Sequence, residues 1–121
     1  MKEAHLIDIK VLKSEAETSE HRESYRVLER TRNYRIGVGA RLGPSGQAFY
    51  FLEVVVHLCP SASEVDTALL EKSLTFLKDL QARGYSLSCE DDGSISCEID
   101  LTPDNLDTEY EAVKSTVRRT F

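Results

Sequence analysis

Three cysteines and three histidines are the side chains of this chain best suited to chemistry. Cys59 follows His57 as His57-Leu58-Cys59, and Cys89 and Cys97 flank a short acidic turn. Together His57, Cys59, Cys89 and Cys97 are the right ligand types for tetrahedral zinc. Their spacing lacks the paired C-x-x-C phrases of the common zinc sites, and free Cys is mostly a packing residue. The cysteines are therefore read as reduced packing thiols, with no metal and no cofactor expected. His5, His21 and His57 stand in no catalytic phrase, and no G-x-S-x-G elbow appears. Acid pairs such as Asp91-Asp92 and Glu109/Glu111 read as turn and helix-entry residues, so no catalytic residue is assigned and the chain is read as more a binder than an enzyme. Gly37, Gly39 and Gly43 superficially suggest a phosphate loop. They alternate on a strand, however, where a phosphate cradle needs a loop opening onto a helix N-terminus.

A different pattern stands out in AFYFLEVVVHL, residues 48–58, which is apolar on both alternating sets of positions. Phe49, Phe51, Val55 and His57 take one side with Glu53; Tyr50, Leu52, Val54 and Val56 take the other. Across a hairpin, Arg35, Gly37, Gly39 and Arg41 share the side of Phe49 and Phe51. Such a surface, if uncovered, is an apolar patch rimmed by Arg, the composition of a protein interface. The candidate binding residues are thus Phe49, Phe51, Val55, Arg35 and Arg41. The alternative is single-stranded RNA binding, with Phe49 and Phe51 stacking on bases and the two Arg holding phosphates. A local charge of about +4 over residues 22–41 favours it, and about −7 over residues 64–121 opposes it.

The elements that must carry these residues follow from periodicity and turn chemistry. Leu6–Leu12 alternates and predicts a strand, followed by a polar segment at about 14–23, expected to be a free loop, and a short strand with Tyr25 and Val27. A helix over Glu15–Arg30 is the other solution. Tyr34–Leu42 and Ala48–Leu58 are the strongest strand signals. Pro44-Ser45-Gly46 between them closes Gly43 on Gln47 and sets Ala40 against Tyr50, Val38 against Leu52 and Ile36 against Val54. A helix runs from Ser63 or Glu64 to about Arg83, with Gly84 just beyond it. Tyr85–Glu90 and Ser94–Leu101 form a second hairpin around Asp91-Asp92-Gly93. It pairs Leu87 with Cys97 and Cys89 with Ile95, and turns both thiols toward the helices. A last helix starts at Pro103, capped by Thr102, and buries Leu106, Tyr110, Val113, Val117 and Phe121.

The expected fold is α+β: one domain over residues 1–121, with an antiparallel sheet of about five strands and two helices on one face. Small acidic secretion chaperones resemble it in sharing the order strand, strand, strand, helix, strand, strand, helix, which would imply a partner-binding role. The 121 residues suit one domain, and a net charge of −6 argues against duplex DNA as partner. No apolar run approaches the roughly 20 residues needed to span a bilayer. With sparse, odd-numbered cysteines and no recognisable signal peptide, the chain is read as cytoplasmic. The partner expected is another protein or a second copy of the chain, with self-association expected through the exposed apolar sheet face of Phe49, Phe51 and Val55.

Overall fold

A computed structural model describes residues 7–58 and 67–121. The N-terminal helix α1 (Ile9–Thr18) leads into the strands β1 (Glu23–Arg30), β2 (Tyr34–Leu42) and β3 (Ala48–Val56). Helix α2 (Thr67–Ala82) precedes β4 (Ser86–Cys89) and β5 (Ile95–Leu101), and α3 (Pro103–Thr120) closes the chain. The five strands form one antiparallel sheet in the order β1-β2-β3-β5-β4. This is the expected α+β class, with three helices among the described residues where two were expected.

The extra helix replaces the strand expected at Leu6–Leu12. Asp8 starts it, its Oδ1 accepting from the Lys10 and Val11 N–H groups at 3.1 and 3.2 Å, which satisfies donors that a first helical turn leaves orphaned. Leu12 and Ala16, four residues apart, then meet the sheet fully buried. The polar stretch expected as a loop is thus helical through Thr18. The helix ends at Ser19, whose N–H returns to the Ala16 carbonyl. The short strand around Tyr25 and Val27 is present as β1, so a helix over Glu15–Arg30 does not form.

Both hairpins take the expected register. Gly46 and Gly93 each adopt φ +86, the left-handed conformation that a three-residue loop requires. Ile36 faces Val54, Val38 faces Leu52 and Ala40 faces Tyr50. In the second hairpin Leu87 faces Cys97 and Cys89 faces Ile95. One side of the sheet carries Ile36, Val38, Ala40, Leu52, Val54, Val56 and Cys97, all sealed beneath the helices in a single core. Fully burying an aliphatic chain of this kind stabilises by roughly 1.5–3 kcal/mol. Helix α1 lies against β1 and β2, whereas α3 lies against β3, β5 and α2. Pro103 begins α3, Asp104 sits in its first turn and Arg118 and Arg119 in its last, matching the helix dipole. The expected start of the second helix, at Ser63 or Glu64, lies outside the described residues. Among the described residues no helix is long and apolar enough to cross a membrane.

In β1 the chain takes one extra residue between Val27 and Glu29. Before this bulge Tyr25 and Val27 point to the side of the sheet that none of the described helices covers, the helix-free side, opposite Gly39 and Gly37. After it Glu29 lies opposite Ile36 on the helix side, where it accepts from the Tyr34 hydroxyl and from Arg118 of α3.

Candidate functional site

The helix-free side of the sheet is organised by Gly37 and Gly39. Lacking side chains, they leave a furrow along β2 into which two rings settle from the flanking strands. A Cβ on Gly37 would lie 2.0–2.6 Å from atoms of the Tyr25 ring, and one on Gly39 would lie 2.3 Å from Cζ of Phe51. The two rings stack with centroids 6.5 Å apart and planes 19° apart. Guanidinium groups then cover them: Arg41 stands 4.0 Å over the Phe51 ring, and Arg35 stands 5.6 Å from the Tyr25 centroid.

Carboxylates pin both guanidinium groups. Arg41 donates to both oxygens of Glu98, at 3.0 and 2.8 Å, and lies 3.4 Å from Glu23. Arg35 donates to Glu53 at 3.3 Å, and Glu53 also accepts from the Ser96 hydroxyl at 3.0 Å. Burial, followed by the nearby Glu53 carboxylate, pushes the Tyr25 phenol up to about 12. The bidentate contact with Glu98 holds Arg41 still more firmly in its charged form.

This arrangement changes the reading of the five candidate residues. Phe51 is 2% exposed and Val55 is 4% exposed within one chain, so neither contributes to an open apolar patch as expected. The long side chains of the same sheet cover them, a solution that alternation alone does not reveal. Phe49 is the exception at 49% exposed. It sits at the sheet end beside Gly43, in a shallow cleft with Asp100, Pro103 and Asn105. Among the described residues, Tyr25 and Val27, which the sequence reading did not single out for binding, are the other exposed large apolar residues of this side. Their signal was the bulge, which has no signature in the residue types.

The thiols divide. Cys97 is fully buried, and desolvation pushes its thiol up to about 12. Cys89 is exposed, which corrects the expectation that both are buried. Its side of the hairpin was assigned correctly, but β4 lies at the margin of the sheet, where Leu87 is also uncovered. Cys59 lies outside the described residues. Among the described residues no group of three or more His, Cys, Asp or Glu is placed to hold a metal.

His57 is used in another way. Its Nδ1 lies 2.9 Å from the buried Ser94 hydroxyl, and the Ser94 N–H donates to Asp92 Oδ1 at 2.9 Å. The Ser94 N–H, and after it the Ser94 side chain, hold the Asp92 carboxyl below its ordinary value. The order is carboxylate, serine, imidazole. A nucleophilic triad instead needs the carboxylate on the far nitrogen of the imidazole. The contacts tie the β4–β5 turn to the end of β3. No protein family, curated protein or solved structure matches this chain.

Proposed function

We propose that the chain is a non-catalytic protein-interaction module that self-associates and offers the helix-free side of its sheet to a protein partner. The carrying observation is where its exposed large apolar side chains lie. Tyr25, Val27 and Phe49 border the ion-paired floor on the helix-free side, while Leu74 and Leu87 lie at the α2 and β4 margin. Apolar groups clustered around fixed charges are the make-up of an interface with a polar rim. The element order shared with small acidic secretion chaperones accords with partner binding as an analogy of order alone.

Single-stranded RNA binding through Phe49, Phe51, Arg35 and Arg41 has weaker support. Both guanidinium groups are engaged by carboxylates and the Phe51 ring is covered, so an RNA would have to displace these contacts to gain its own. No binding to short oligonucleotides at low salt would remove this rival.

Sedimentation and light scattering at micromolar concentration test the main reading. An associating wild type, with altered solubility or lost co-purifying partners in Phe49→Asp, is the expected result. A strict monomer whose Phe49→Asp variant keeps the same solubility and partners would overturn it.

A further inference from the structure

The two edges of the sheet are guarded differently. β1 carries Glu23, Arg26, Glu29 and Arg30 and is interrupted by its bulge. Charges and bulges are common devices against edge-to-edge pairing. β4 reads Ser86-Leu87-Ser88-Cys89, with no charge, no proline and no register shift, and all four residues are exposed.

The hydrogen-bond phase of β4 defines what this edge offers. The Glu90 N–H donates to the Ser94 carbonyl at 2.8 Å. By antiparallel alternation, Ser88 and Ser86 then direct their backbone groups inward to β5. Leu87 and Cys89 direct theirs outward. On the helix side these same two residues stand uncovered, with Leu87 36% exposed. Leu74 of α2 is also exposed, about 160° around the helix from Phe76 by the 100° step per residue. Phe76 packs on Phe121 at the end of α3, so Leu74 lies on the flank of α2 turned away from α3. From its C-terminal end α2 passes directly into β4, where the Tyr85 N–H bonds the Leu80 carbonyl.

We propose that β4 is the seam of a homodimer, pairing antiparallel with β4 of a second copy about a two-fold axis at Ser88. The inference rests on the self-association reading above and names its surface. A second copy is the fitting occupant because the edge is complementary to itself. In this register Leu87 exchanges both backbone bonds with the partner's Cys89, and Cys89 does so with the partner's Leu87. The axis stands perpendicular to the sheet, so both helix layers stay on one side. The four uncovered Leu87 and Cys89 side chains then meet there, flanked by Leu74 of each copy. At each end of the seam the acidic turn Glu90-Asp91-Asp92 of one copy comes near Arg83 of the other, the sole cation between Lys78 and Lys114, which in each copy already pairs with Glu109 at 2.9 and 3.3 Å. Ser88 of the two copies would be a directly opposed, non-hydrogen-bonded pair, whose roughly 4.5 Å Cα separation permits a disulfide.

Sedimentation equilibrium on the full chain tests the seam through two variants, with circular dichroism as the check on folding. Leu87→Lys puts a charge at the centre of the seam. Cys89→Pro deletes an outward N–H without touching the ladder to β5. The expected result is a dimeric wild type and at least a tenfold weaker association in each folded variant. A third variant, Ser88→Cys with the native Cys59 and Cys89 replaced by Ser, should form a disulfide-linked dimer on mild oxidation. A wild type that stays monomeric overturns both the seam and the self-association reading. A wild-type dimer that survives in folded Leu87→Lys and Cys89→Pro overturns the seam alone. If those variants do not fold, failure of Ser88→Cys to cross-link a dimeric protein overturns it.

Discussion

On the helix side of the sheet, Ile36, Leu52 and Val54 are sealed by side chains arriving from other elements. On the opposite side Phe51 and Val55 reach nearly the same burial with no layer of described helices above them. The first side works by stacking, so its contacts depend on where the helices dock. The second is assembled within the sheet from rings laid in a glycine furrow and Arg–Glu pairs laid over the rings. A sheet can therefore hide an apolar face without a second layer, provided glycines make the space and paired long side chains form the cover.

The largest test of that difference lies in the furrow. Gly39→Ala places a Cβ 2.3 Å from both Phe51 Cζ and the Ser24 carbonyl oxygen. The backbone oxygen cannot step aside, and the expected cost is about 3 kcal/mol in denaturant unfolding. At Gly37→Ala the three atoms nearest the added Cβ all belong to the Tyr25 side chain, which is 38% exposed and can swing outward, so the cost should be about 1 kcal/mol. Equal costs at the two positions would mean the furrow does not seat the rings differently.

Thiol labelling sharpens the contrast between the core and the β4 margin. In a Cys59→Ala background, diluted until the folded chain is monomeric, Cys89 should react at close to its denatured rate. Cys97, buried with its thiol pushed up to about 12, should react at least about a hundredfold more slowly. Comparable rates would show that β4 and β5 part readily and that Cys97 is not part of a closed core.

A smaller effect attaches to Glu29, where β1 crosses from one side to the other. Hydrogen bonds from Arg118, and then from Tyr34, hold its carboxyl below the ordinary 4.5 against the opposing effect of burial. The unfolded chain then takes up the proton first. The stabilisation is complete above pH 4.5 and is lost as the pH falls through the folded-state value. Glu29→Gln should cost about 1 kcal/mol at neutral pH, with a gap to wild type that narrows as the pH falls below 4.5. A gap unchanged with pH would place its origin in packing.

Much of this was legible in the sequence where a turn residue and an alternating pattern agreed. Gly46 and Gly93 each fixed a hairpin, and the facing residues followed. At Ile7, Ile9 and Val11 the alternation pointed to a strand, because β-branched residues at every second position resemble one. The cap at Asp8 and the spacing of Leu12 and Ala16 supported the helix that forms. Coverage was the least legible property. Alternation places Phe51 and Cys89 on a side of the sheet, but whether anything lies above that side depends on strand order and on where the helices stop.

The order β3-β5 has a further consequence, in time rather than in space. β1, β2 and β3 are joined by short turns and can pair as soon as they are made. β3 must wait for β5, since Tyr50 pairs with Leu101 and Val56 with Ile95. At a synthesis rate of roughly 5–20 residues per second, those missing residues take several seconds to follow. For that interval Phe51-Leu52-Glu53-Val54-Val55-Val56, with a single charge, is the open edge of a nascent sheet, the kind of segment that seeds aggregation. A strand buried at the centre of the finished molecule is thus its most hazardous stretch while the chain is being made, and Glu53 is the one residue within it that resists mispairing.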